Sequence, residues 1–159
     1  MFEQHHASLL RYLVRLTGDF DLAHDAAQEA FTRLLTRPPR DEDPKAWLFT
    51  VATNLVRSWS NSRTRRRELL EERIDRVPRP QPAPDPERAT EAAERRRLVR
   101  EALNRLSEKE RRVLLMREEG FSHREIAQAV GTTTGSVGTM VARALDKLSA
   151  ALALDAEAV

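Results

Sequence analysis

Apolar residues in this chain recur at helical spacing and nowhere alternate with polar ones over the length of a strand, so the pattern predicts an all-α fold. A first helix, over about residues 3–17, carries Leu9, Leu10, Leu13, Val14 and Leu16 on a broad face and ends at Gly18. A second, over about 21–36, starts at Asp19 or Asp21. It is expected to bury Leu22, Ala26, Ala30, Phe31, Leu34 and Leu35, and to turn Asp25, Gln28, Glu29 and Arg33 outward. After the loop RPPRDED, Asp43 as N-cap and Pro44 at the first helical position open a long helix reaching about residue 71. Its apolar stripe of Trp47, Leu48, Val51, Ala52, Leu55 and Trp59 stops where SNSRTRRRELLEER begins.

The helical pattern then breaks. Pro78, Pro80, Pro82, Pro84 and Pro86 alternate through VPRPQPAPDPE, a density that no helix tolerates and that favours extended polyproline II. Residues 74–88 therefore read as a semi-rigid spacer, or as a plain disordered linker, between two small helical domains, 1–73 and 89–159. In the second domain a helix over 89–105 should face Ala92, Leu98, Val99, Ala102 and Leu103 inward. Ser107 with Glu110, and Ser122 with Glu125, have the spacing of capping boxes, and Gly120 and Gly131 close the helices they start. The helix after Ser122 is short and carries Ile126, Ala127 and Val130. Thr133 is placed to cap a last helix with Val137, Val141, Leu145 and Leu148 inward. Short helix, glycine turn and longer helix form a helix-turn-helix, whose second helix meets base edges through its N-terminal part, although an ordinary helical hairpin would share the pattern. Thr134, Gly135, Ser136, Gly138, Thr139 and Arg143 face outward there, and of these only Arg143 suits a phosphate or guanine.

Composition adds little to the fold but narrows the chemistry. With 159 residues, 40% of them hydrophobic, the chain can bury one or two small cores. Lys and Arg number 27 against 25 acids, so where the cations stand matters more than the net charge of +2. They gather at the end of the long helix: Asn54, Arg57, Ser58, Asn61 and Ser62 on its outer side are followed by Arg63, Arg65, Arg66 and Arg67, with Trp59 at the boundary. Arginines beside an aromatic ring suit unpaired or partly opened nucleic acid. The competing readings are tryptophans (Trp47 and Trp59) that belong to the core and arginines that form a solvated face. The absence of cysteine removes disulfides and thiolate chemistry and suits a reducing cytoplasm. No secretory signal pattern and no apolar run near 18 residues is seen, so a cytoplasmic chain is expected. His5, His6, His24 and His123 are scattered without ligand spacing, GTTTGSVG lacks the lysine of a phosphate-binding loop, and no nucleophile stands with a base. Neither metal, cofactor nor enzymatic activity is expected.

Three stretches together resemble a known family. DLAHDAAQEAFTRLL is similar to the core-binding helix of bacterial sigma factors of the extracytoplasmic-function (ECF) class, the RNA polymerase subunits that recognise promoters. PKAWLFTVATNLVRSWSNSRTRR resembles their segment that recognises and melts the -10 element, and LSEKERRVLLMREEGFSHREIAQAVGTTTGSVGTMVARALDKL resembles their -35-reading domain. The resemblance implies that Asp25, Gln28, Glu29 and Arg33 face the clamp helices of the polymerase largest subunit, with the second domain at the flap. It implies that Asn54 and the loop Arg37–Asp43, which includes Arg40, lie where a flipped base is pocketed. Arg57, Ser58, Trp59, Asn61, Arg63, Arg65 and Arg66 would then meet -10 DNA. The -35 element would fall to Thr133, Thr134, Gly135, Ser136, Gly138, Thr139 and Arg143, and an anti-sigma factor is a further implied partner.

Many members carry a basic residue where this chain has Gly138 and another where it has Met140, and often an aspartate where it has Ser58; these departures leave the -35 sequence open and imply weak autonomous DNA binding. Tethering would compensate, because a short linker gives the second contact an effective concentration of about millimolar. A polyproline spacer of about 15 residues reaches roughly 45 Å, and elements about 17 base pairs apart lie on the order of 60 Å apart; domain widths cover the difference. Two other readings use the same residues. One is a stand-alone helix-turn-helix regulator that dimerises through the face of Asp25, Gln28 and Glu29; the other is a polymerase-binding module that does not read DNA.

Overall fold

A computed structural model describes residues 2–71 and 90–157, so the spacer expected at 74–88 lies outside the described residues. Within them the chain forms α1 (Phe2–Thr17), α2 (Phe20–Thr36), α3 (Pro44–Glu71), α4 (Glu91–Asn104), α5 (Glu108–Glu118), α6 (His123–Val130) and α7 (Thr134–Glu157), and no strand. The ends of these helices follow from local chemistry. Asp19 accepts from the Leu22 amide at 3.0 Å and Asp43 from the Ala46 amide at 3.1 Å, each satisfying an amide that its helix leaves unpaired. Ser107 and Ser122 both complete reciprocal capping boxes with Glu110 and Glu125. Gly131 takes φ 70°, a left-handed turn in which a side chain would be strained.

α1, α2 and α3 pack around Leu9, Tyr12, Leu13, Ala23, Ala27, Ala30, Phe31, Leu48, Phe49 and Ala52, all buried. Tyr12, Phe49, Thr53 and Val56 were not among the residues expected inside, yet they lie at the centre. The Thr53 hydroxyl donates to the Phe49 carbonyl at 2.7 Å, so it accepts from the Tyr12 hydroxyl at 3.0 Å and both buried oxygens are satisfied. Burial pushes the Tyr12 phenol above its ordinary value, the Thr53 bond opposing part of the rise.

Four expected core positions are corrected. Leu35 is 78% exposed, because the buried arc of α2 is centred on Ala23, Ala30 and Leu34 and Leu35 falls about 100° past Leu34. For the same reason Leu145 is exposed while its neighbour Ala144 is fully buried. In α4 only Ala102 and Leu103 are buried; the helix packs on α7 near its last turn, so Ala92 and Val99 stay exposed.

The two halves do not stand apart. One continuous apolar cluster runs from Leu9 in α1 to Val141 in α7, with α1 packed on α5 and α3 on α6. A smaller cluster of Leu103, Leu106 and Ala144 ties α4 to α7.

Candidate nucleic-acid interface

Because α2 turns its small residues toward α1 and α3, its polar residues are left outward. Asp25 and Gln28 are exposed, and Glu29 and Arg33 form an ion pair at 2.7 Å across one helical turn. The result is an accessible, mixed but largely acidic face.

The exposed side of α3 carries Asn54, Arg57, Ser58, Asn61, Arg63, Arg65 and Arg66, and Arg40 is exposed in the preceding loop. The side chain of Arg67 is not described. Trp47 and Trp59 are half-buried against the main cluster, so each ring serves the core on one side and presents its other edge to solvent. Arg63 pairs with Asp19 at 2.9 Å, joining the basic stretch to the start of α2. Arg57 pairs at 2.9 Å with Glu108, which belongs to the other half of the chain.

The helix-turn-helix is formed by α6, the Gly131 turn and α7, with α5 behind. Arg112 is buried and donates to the Ala129 carbonyl at 2.9 Å, fixing the chain just before the turn, and the Thr132 amide bonds to the Ala127 carbonyl at 3.0 Å. The expected cap at Thr133 takes a different form: its hydroxyl pairs with the Ser136 hydroxyl at 2.7 Å while the Ser136 amide bonds to the Thr133 carbonyl. Thr133, Thr134, Gly135, Thr139 and Arg143 are exposed, and Ser136 and Gly138 half-buried. Sequence reasoning set His123 aside as scattered. It lies beside the recognition helix: a Cβ at Gly138 would meet His123 Cε1 at 3.7 Å, and its Nε2 stands 2.7 Å from Arg117 Nη1. The spacing of 15 residues between His123 and Gly138 offered no signal for that contact, since it depends on the angle of the turn.

Small hydroxyls at the start of an exposed second helix and Arg143 further along it, with an arginine-rich helix elsewhere, are equipped to bind nucleic acid. Among the described residues no group of three or more His, Cys, Asp or Glu is arranged to hold a metal ion, and no helix is long and apolar enough to cross a membrane.

Comparison with known proteins fits this arrangement. Residues 1–66 match the Sigma-70 region 2 family and residues 96–148 the Sigma-70 region 4 family. The chain is 34% identical over 153 residues to the ECF RNA polymerase sigma factor EcfG of Rhodopseudomonas palustris, covering 93% of this chain and 81% of that protein. The chain belongs to the ECF RNA polymerase sigma factors. It is likewise 34% identical to SigL of Mycobacterium tuberculosis over 143 residues, which cover 86% of this chain and 78% of the relative. In fold it is similar to the sigma factor RpoE of Bartonella quintana, solved in complex with the anti-sigma factor NepR, with a TM-score of 0.67, 24% identity and coverage of 96% of this chain and 94% of that one. As a sigma factor the chain serves promoter-specific transcription initiation, and its family is one of non-catalytic regulators.

Proposed function

We propose that this sigma factor divides its work between residues 1–73, which engage core RNA polymerase and the -10 element, and residues 89–159, which read the -35 element, with 74–88 as the linker. In this reading Asp25, Gln28, Glu29 and Arg33 meet the clamp helices of the polymerase. Asn54 and the loop containing Arg40 hold an extruded base, which offsets part of the few kcal/mol that unstacking it costs. Arg57, Ser58, Trp59, Asn61, Arg63, Arg65 and Arg66 follow the -10 DNA. Thr133, Thr134, Gly135, Ser136, Gly138, Thr139 and Arg143 follow the -35 DNA, with Arg117 and His123 beside them. The observation that carries the reading is that matches to region 2 and region 4 occur in this order in one chain whose acidic α2 face is exposed.

The sigma factor catalyses no reaction of its own and works where the polymerase is, in the cytoplasm. An anti-sigma factor is the partner that would silence it, a reading supported by the fold it shares with RpoE, which was solved with one.

The test is single-round transcription by core polymerase on a genomic promoter library, with and without the chain. Initiation at a defined subset of promoters, lost when Asp25 and Glu29 are both changed to lysine, is the expected result. Tight core binding without stimulation would replace the reading by the interaction module, and no core binding by the stand-alone regulator.

A further inference from the structure

The reading face of α7 is short of side chains. Residues 135, 138, 139 and 142 share one side of the helix, about a turn apart, and are glycine, glycine, threonine and alanine. Among them only Thr139 carries a polar group, and Arg143 stands one turn beyond it. At Gly135 an added Cβ would meet nothing within 4 Å, whereas at Gly138 it would meet His123 Cε1 at 3.7 Å. The space that a side chain at 138 would enter is thus bordered by an imidazole from α6.

Two features fix that ring. His123 is the first residue of α6, whose start is set by the box between Ser122 and Glu125, the Ser122 amide donating to the Glu125 carboxylate at 2.7 Å. Arg117, exposed in the last turn of α5, places Nη1 2.7 Å from His123 Nε2. A guanidinium has no acceptor, so Nε2 accepts and the ring proton is left on Nδ1. The two ring nitrogens flank Cε1, the atom that faces Gly138. The edge turned to the recognition helix therefore carries an occupied acceptor on one side and an N–H donor on the other, and no described residue accepts from that N–H. A bond between two basic side chains neutralises no charge; what it does is orient the imidazole and select its tautomer.

We propose that His123 is a base-reading residue for the -35 element, supplying a polar group where the recognition helix has no side chain of its own, and that Arg117 is the positioning residue that keeps the His123 N–H available to the groove. The proposal rests on the promoter-reading role given above for α7. The major groove is about 12 Å wide and a helix with its side chains about 10–12 Å across, so base edges are within reach only of groups that lie against the inserted helix. His123 is such a group, at van der Waals distance from position 138, and it is half-buried, so part of the ring meets solvent. A lone N–H donor has a definite preference: it bonds purine N7, guanine O6 or thymine O4, and it is opposed by the N4 amino group of cytosine. One base pair of the -35 element should therefore exclude cytosine on the contacted strand.

The test is single-round transcription by core polymerase carrying the full chain, on promoters randomised through the -35 element, with transcripts traced to their promoters by sequencing. The unaltered chain should disfavour cytosine at one position by about fivefold, the scale of one hydrogen bond. His123→Ala should lose that preference and leave those at other positions as they were. His123→Glu, which presents an acceptor, should reverse it in favour of cytosine. Arg117→Met should lose the preference with His123 intact, and Arg117→Lys, which still donates to Nε2, should keep it; a role in stability alone would give no such rescue at a single base pair. Circular dichroism would check that each variant is folded. Loss of transcription by one factor at every -35 sequence would make His123 a phosphate contact, and altered preferences at several positions would mean that α7 has shifted. Either result would overturn the proposal. No initiation by the unaltered chain at any promoter overturns the sigma reading and this proposal with it, whereas initiation with a -35 preference that no His123 variant alters overturns this proposal alone.

Discussion

Gly138 shows what a single residue contributes here. It lies on the recognition helix at ordinary helical dihedrals, and a Cβ there meets only His123 Cε1 at 3.7 Å, an unstrained contact. Replacing it with lysine adds one cation to the reading face and removes a residue that costs a helix interior about 1 kcal/mol relative to alanine. Gly138→Lys should therefore bind duplex DNA more tightly and steepen the salt dependence of log K by about one unit, as expected for one added phosphate contact. Fluorescence anisotropy titrations over a range of salt concentrations would measure this. An unchanged slope would mean that position 138 does not face DNA. The glycine was legible in the sequence as a departure from a basic pattern. Its neighbour His123 was not, because the two meet only through the turn at Gly131.

At the scale of elements, the helix ends were the most legible feature, since a Ser-x-x-Glu box is complete within four residues. Glu110 adds something the box does not contain. It bonds the Ser107 amide at 2.9 Å and also takes a hydrogen bond from Lys147 of α7, so the start of α5 is tied to the recognition helix. The Lys147 bond, then that from Ser107, holds its carboxyl below the ordinary 4.5. Its folded value being depressed, the stabilisation is present above about pH 4.5 and is lost as pH falls through the lower folded value. Glu110→Gln should lower stability at pH 7 by about 1 kcal/mol, the scale of a lost cap partner. The gap from the unaltered chain should close as the pH is taken below 4.5. Urea midpoints at a series of pH values would show it; a gap independent of pH would mean that the carboxylate charge does not contribute.

The whole molecule behaves as one core or two according to the seam where α1 and α3 pack on α5 and α6. Both tryptophans, Trp47 and Trp59, stand in α3, so their fluorescence reports the first half alone, whereas far-UV dichroism reports every helix. With the main apolar cluster continuous across the halves, urea unfolding followed by the two probes should coincide in the unaltered chain. In Glu119→Arg, which removes the carboxylate that accepts from Ser8 and Arg11 across the seam, the two curves should separate, because the halves then melt independently. Coincident curves in both proteins would mean that the halves remain coupled without the Glu119 contacts, and separate curves in both would mean that they were never coupled.

Most of the fold was written locally. Helical spacing, two capping boxes, an aspartate and a proline before α3, and a glycine at the helix-turn-helix corner each act within one or two turns, so a short window of sequence suffices to read them. The acidic face of α2 and the basic end of α3 were legible for the same reason, and the three family-like stretches gave their sense. Tertiary structure decided which apolar residues at the edge of a stripe were covered, exposing Leu35 and Leu145 and enclosing Tyr12 and Phe49. It also decided that Phe121 meets Phe49, that Glu119 meets Ser8 and Arg11, and that Glu108 takes Arg57. Those partners lie 51 to 111 positions apart. Their pairing depends on the shape and charge of two assembled surfaces, which exist only after each half has folded.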